Sequence, residues 1–190
     1  MGAIPSPPTE RRPREAGIGL VDLQVLLAIF AVVFLAALGP AREALQTNRR
    51  NGAARRVLAE IRATQSLAVT RHGVYGFHWG GDPDISGSPS AYRIVRDTSG
   101  ACGFPPTSQA QDGTNVVAGW FDLGKEYSGV RIESVRDGGG SLVGGVMFDT
   151  KGASVNTCTT ATFPIRVAIS DDSGRTRVIE ISAAGGTRLQ

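Results

Sequence analysis

The chain changes character three times along its length. Residues Met1 to Gly17 are polar, proline-rich and basic. Pro5, Pro7, Pro8 and Pro13 each lack a backbone donor and crowd the preceding turn, so no stable helix is expected there. From Ile18 to Gly39 the sequence reads IGLVDLQVLLAIFAVVFLAALG, an apolar run closed by Pro40. As a helix rising about 1.5 Å per residue it would be roughly 33 Å long. That suits one crossing of a hydrocarbon core about 30 Å thick.

Beyond Pro40 the pattern becomes amphipathic. Ala54, Val57, Leu58, Ile61 and Ala68 recur at three- and four-residue spacing, which places them on one face of a helix. Arg49, Arg50, Arg55, Arg56 and Arg62 occupy much of the remainder. The spacing predicts a helix over 18–72, of which 18–39 meets lipid and 41–72 packs on a soluble domain. Pro40 is a candidate kink between them. Gly73 is the expected stop, because a left-handed cap conformation suits glycine.

Residues 73–190 read as strands and turns. The expected strands are Val74–Trp79, Ala91–Asp97, Val116–Asp122, Val130–Ser134, Gly145–Asp149, Phe163–Ser170 and Arg175–Ser182. Segments such as RVAIS and RVIEIS alternate apolar and polar positions, as half-buried antiparallel strands do. Asp171, Asp172, Ser173 and Gly174 form a suitable hairpin connection between the last two. The runs Gly80–Ser90 and Gly138–Gly140 read as surface loops. The fold class is therefore α+β: a long N-terminal helix packed on a C-terminal antiparallel sheet domain, with no internal repeat.

One residue breaks the apolar run. Asp22 stands near its start, where a carboxylate costs less than the about 2.5–3.5 kcal/mol it costs at the centre of a membrane helix. Two readings are open: a functional charge with a partner, or a carboxylate hydrated at the interface.

Composition narrows the function classes. At 190 residues there is room for one ordinary domain and an anchor. A hydrophobic fraction of 41% is that of a folded protein. A formal charge of +3 does not require a nucleic-acid partner. Two histidines and two cysteines leave little material for a metal site or a histidine-based triad. No nucleophile elbow, phosphate loop or zinc signature is present, so neither an enzyme nor a cofactor is expected.

The N-terminal segment resembles a known signal. Gly17, an apolar residue, an acid at the fifth position after the glycine and then an apolar run are similar to the class III signal of type IV pilins and type II secretion pseudopilins. The resemblance implies cleavage by a prepilin peptidase between Gly17 and Ile18, methylation of the new N-terminus, and Asp22 as the fifth mature residue. It also implies a partner for Asp22, the N-terminal amine of a neighbouring subunit, and a paired carboxylate costs far less in hydrocarbon than a lone one. The family usually has Phe or Met after the cut and Glu as the acid, where this chain has Ile18 and Asp22. Pro40 lies one position from the family's helix proline.

The later order narrows the resemblance to the GspH/FimT branch of minor pseudopilins and minor pilins. It runs from a helix containing ATQSLAVTR through a WFD segment to GVMFDTKG and a closing pair ending in ISAAGGTRL. Met147, Phe148 and Gly152 match that branch's apolar-Phe-x-x-x-Gly element. The implied localisation is the bacterial inner membrane, single-pass, with a cytoplasmic leader 1–17, the anchor helix, and a periplasmic domain over 73–190. The implied partners are the prepilin peptidase, other pilins or pseudopilins, membrane lipid and a secreted substrate.

Rival signals are weaker. Ala36–Ala37 or Gly39–Ala41 would serve loosely as a signal-peptidase site, but the run is long and carries an acid. Arg11–Arg12 is followed by Pro13 and Arg14 where a twin-arginine signal wants apolar residues. Arg11, Arg12 and Arg14 favour a cytoplasmic N-terminus, against the pull of Arg42, Arg49 and Arg50 after the span.

Several further residues invite function. Cys102 and Cys158 are a candidate disulfide in an oxidising periplasm, contributing roughly 4 kcal/mol by loop closure; two separate thiols are the alternative. Asp82, Asp84, Ser86 and Gly87 imitate the start of a calcium loop, but Arg93 stands where the bidentate Glu belongs, so a plain polar loop is favoured. His72 and His78 read as structural or exposed rather than as metal ligands. Some relatives in the FimT branch bind DNA. Arg175, Arg177 and Arg188 are the candidate phosphate contacts here, but Asp171, Asp172 and Glu180 dilute the field and favour a solvated strand face.

Overall fold

The computed structural model describes residues 19–81, 88–98, 104–105, 109–155 and 162–190. Gly17, Ile18, Cys102, Cys158 and the calcium-like positions Asp82, Asp84, Ser86 and Gly87 lie outside the described residues. The chain divides into two compact units, 1–42 and 43–190. One helix, α1 (Leu20–Thr70), contributes to both and contains Pro40.

In the second unit, α1 buries the face that the periodicity predicts. Ala53, Ala54, Val57, Ile61 and Ala68 are fully buried and Leu58 packs against them. The outward positions Arg55, Ala59, Arg62, Ala63 and Ser66 are exposed. Thr64 is buried among the apolar residues because its hydroxyl donates to Glu60 O at 2.8 Å, back along the helix.

The helix ends differently from the expectation. The residue with positive φ is His72 (φ 47°), and Gly73 follows it. Gly73 N–H donates to Ala68 O at 3.2 Å, a six-to-one closure that places His72 at the left-handed position. Glycine therefore stands one place beyond the strained residue.

Two antiparallel sheets complete the unit. The first runs β3-β2-β1-β5-β6, from β1 (Val74–Trp79), β2 (Ala91–Asp97), β3 (Val116–Asp122), β5 (Gly145–Phe148) and β6 (Ser154–Val155). The second runs β4-β7-β8-β9, from β4 (Val130–Arg136), β7 (Ile165–Asp171), β8 (Thr176–Ile181) and β9 (Thr187–Leu189). A single turn of helix, α2 (Leu123–Glu126), follows β3; Asp122 caps it by accepting from Gly124 N at 2.9 Å. Seven strands fall where the alternation places them, shifted by at most two residues at an end. β6, β9 and α2 have two to four residues each, too few to carry a readable period.

The alternation decides which face goes in. On β7 and β8, Ile165, Val167, Ile169, Ile179 and Ile181 point inward and are buried, while Arg166 between them is exposed. Tyr75, Phe77 and Phe148 do the same from the first sheet, and α1 closes the core from Ala53 to Ala68.

Candidate functional site

The first unit presents a surface no soluble domain needs. Every large apolar side chain from Leu20 to Leu35 is at least half exposed. The most apolar stretch of α1 has a mean hydropathy of 2.6 and none of it is buried. Among the described residues, α1 is the one helix long and apolar enough to cross a membrane. It passes through Pro40, whose missing N–H leaves Ala36 O without its helical donor.

Asp22 lies in the first turn of this helix and is exposed. Its Oδ2 accepts from Gly19 N at 3.2 Å, and Leu23 N donates to Gly19 O at 3.2 Å. Gly19 thus takes the cap position and Asp22 the third helical position, reaching back as the acid of a capping box does. A carboxylate there also opposes the positive end of the helix dipole. This local role is a third reading of Asp22, and the acid three residues after a glycine was the signal for it.

Polar struts tie the second half of α1 to the two sheets. Arg50 Nη1 pairs with Asp171 Oδ2 at 2.6 Å, both side chains being buried. Arg177 Nε donates to Asn51 Oδ1 at 3.1 Å, and Arg175 pairs with Glu43 at 2.6 Å on the surface. Arg62 Nε donates to Thr187 Oγ1 at 3.0 Å. Gln65 Nε2 donates to Gly152 O at 2.7 Å and to Gly185 O at 3.2 Å. Gly152 closes the Met147–Phe148 element, so the helix clasps that element and the final turn with one carboxamide.

These struts decide where the candidate DNA-contacting arginines stand. Arg175, just before β8, and Arg177, within it, flank Thr176 and engage α1 through Glu43 and Asn51. Arg188 lies directly opposite Glu180 across β8 and β9. Glu180 has the other parity on β8, so it and Arg188 share the opposite face of the sheet. The structure therefore brings Arg175 and Arg177 together at the helix and leaves Arg188 apart from them.

His78 is fully buried on β1, stacked on Phe104 with centroids 4.3 Å apart. Its Nδ1 accepts from Arg93 Nε at 3.1 Å. Burial, with the Arg93 charge beside it, holds the imidazole down at about 3, so it stays neutral and remains an acceptor. Arg93 also donates to Gln109 O at 3.1 Å and to Pro105 O. Among the described residues, no group of three His, Cys, Asp or Glu side chains is placed to hold a metal ion.

Neither a family model nor a curated protein matches the chain. Two kinds of solved structure are similar to it. The minor pseudopilin EpsH from the Type 2 Secretion System of Vibrio cholerae has 13% identity and a TM-score of 0.49, over 75% of this chain and 93% of that one. The type IV minor pilin FimU of Pseudomonas aeruginosa has 18% identity and a TM-score of 0.49, over 76% of this chain and 90% of that one.

Proposed function

We propose that this chain is a structural minor pseudopilin of a type II protein secretion system. A prepilin peptidase cuts it after Gly17 and methylates Ile18. The anchor spans the bacterial inner membrane with a cytoplasmic N-terminus and a periplasmic sheet domain, and the subunit is assembled with other pseudopilins at or near the tip of a filament. The observation that carries this reading is α1 itself. One helix of 51 residues is exposed and apolar from Leu20 to Leu35, with a single acid in the first turn, and buries an amphipathic face from Ala53 to Ala68.

The physical argument is about what such a helix can do. In lipid a helix satisfies its own backbone groups, here all along the run but at Ala36 O before Pro40, so an apolar helix is stable there. Drawn out of lipid, the same surface must be covered by like helices, and packed copies of itself supply that cover. A neighbour's N-terminal amine then gives Asp22 its counter-charge. The alternative of a DNA-binding minor pilin draws less support, since Arg175 and Arg177 already serve Glu43 and Asn51.

Mass and N-terminal sequence of the membrane-extracted protein, with and without a prepilin peptidase, test the reading. A peptidase-dependent N-terminus at Ile18 is expected. A retained leader, or a cut near Ala37 or Ala41, would overturn it.

A further inference from the structure

Among the described residues, strand β3 is an edge of the five-stranded sheet and is loosely tied to its neighbour. Tyr92 pairs with Phe121, Ile94 with Ala118 and Val95 with Val116, so Gly119, Trp120 and Val117 are left over as bulges. Beside this edge a side chain stands where a strand would. Gln111 Nε2 donates to Val117 O at 3.1 Å, and Gln111 Oε1 accepts from Gly119 N at 3.3 Å. An acceptor filled at one residue and a donor filled two residues on is the pattern that one residue of a parallel strand satisfies. The carboxamide supplies the same two groups.

The edge opens onto a groove of about 290 Å³ lined by Arg56, Glu60, Tyr92, Arg93, Trp120 and Phe121. Trp120 is 37% exposed, with the Arg93 guanidinium 4.7 Å from its ring centroid. Arg56 lies 5.2 Å from the Phe121 centroid and pairs with Glu60 at 2.8 Å. The Tyr92 hydroxyl is buried beside the Arg56 guanidinium, which favours its ionised form. Burial outweighs that attraction and pushes the phenol up to about 12, so it stays protonated and retains a donor. Arg93 is buried beneath Trp120 and the Glu60 and Glu126 charges both act on Arg56, so the exposed cation that the groove offers is the Arg56 guanidinium.

We propose that the β3 edge and this groove dock an extended segment of a partner polypeptide. The segment displaces Gln111, takes Val117 O and Gly119 N with its own backbone, and so extends the sheet by one strand. Main-chain bonds supply the register. An acidic side chain of the segment lies beside the exposed Arg56 guanidinium, and an apolar one lies against Trp120. In the free chain Gln111 guards the edge against indiscriminate pairing. The site does not depend on the filament reading.

The test uses the full chain in detergent micelles and random twelve-residue peptides displayed on phage, with enriched sequences synthesised and their affinity measured by fluorescence anisotropy. Enriched peptides are expected to alternate apolar and polar positions and to carry an acid. Gln111→Ala removes the competitor and should tighten binding about threefold or more, the worth of a modest hydrogen bond. Gly119→Pro removes the edge donor without removing any β2 partner and should weaken binding about tenfold. Trp120→Thr and Arg56→Ala should also weaken it, and they keep the question open to refutation if the proline variant misfolds. Failure to enrich any peptide overturns the proposal. So does a Gln111→Ala variant that binds no tighter, or one that self-associates with unchanged peptide affinity, which would make Gln111 a guard only. Affinity indifferent to Gly119→Pro and Trp120→Thr in folded variants overturns it equally.

Discussion

Arg50 and Asp171 form a buried ion pair, Nη1 to Oδ2 at 2.6 Å, that joins α1 to the turn between β7 and β8. Asp171 is more than a counter-ion. Its Oδ1 accepts from the Ser173 amide at 3.0 Å, the Ser173 hydroxyl at 2.5 Å and the Arg175 amide at 3.1 Å, which shapes the hairpin turn. Burial alone would raise the carboxyl, but the Ser173 hydroxyl, the Arg175 amide and the Arg50 charge together hold it below its ordinary range. Breaking a buried pair leaves an uncompensated charge at a cost of about 3–5 kcal/mol. Asp171→Ala should therefore destabilise the protein by that order, and more than Arg50→Ala, because it also unmakes the turn. Urea unfolding of both single variants and the double variant checks this. A double variant no worse than Asp171→Ala alone is the expected sign of coupling.

Gln65 and Gly185 make the second clasp, and here geometry leaves little room. Gly185 has φ 81°, and a Cβ there would lie 2.0 Å from Gly152 O. Gly185→Ala should cost about 2 kcal/mol or more, from the left-handed conformation and the backbone collision together. Gln65→Ala removes one donor from two carbonyls and should cost about 1–2 kcal/mol. Midpoints of chemical unfolding, at unchanged m-value, separate the two.

His78 predicts a direction with pH. Its folded value is near 3 and its ordinary value is 6.5, so below pH 6.5 the unfolded chain takes up a proton that the folded chain refuses. Stability should fall as pH drops through that window, with a slope approaching about 1.4 kcal/mol per pH unit. Between pH 6 and 5 few carboxylates titrate, which isolates the imidazole. His78→Gln keeps an acceptor for Arg93 and should flatten the curve in that interval. A wild-type profile with no slope there would refute the assignment.

Much of the scaffold was legible because burial imposes a period. The stripe Ala54–Val57–Ile61–Ala68 and the alternation of RVAIS could hardly be misread, since each satisfies only one backbone geometry. Contacts between distant residues were not legible. Arg50, Arg175 and Arg177 looked alike as basic positions, and only the register of β8 against α1 gives them Asp171, Glu43 and Asn51. Gln65 carries no local mark of meeting Gly152 and Gly185. At the helix end, the expectation that glycine takes the left-handed turn overlooked that the next position is also defined by the motif, so His72 bears the strain.

The local contact of Asp22 and the pairing that the filament proposal gives it can be separated by substitution. Within the chain it accepts from Gly19 N and tightens the first turn. In a filament its charge would meet a neighbour's amine. An asparagine keeps an oxygen able to accept from Gly19 but carries no charge, whereas an alanine loses both. Loss of that reach-back acceptor is a local effect at the helix end that need not reach assembly. If charge pairing governs assembly, Asp22→Asn should fail as severely as Asp22→Ala, while Asp22→Glu restores function. If the cap is what matters, Asp22→Asn should assemble normally. Filament recovery by shearing and immunoblot, set beside the level of protein in the membrane fraction, distinguishes failed assembly from failed insertion. Equal assembly by all three variants would leave Asp22 a hydrated residue at the interface and remove the electrostatic part of the filament proposal.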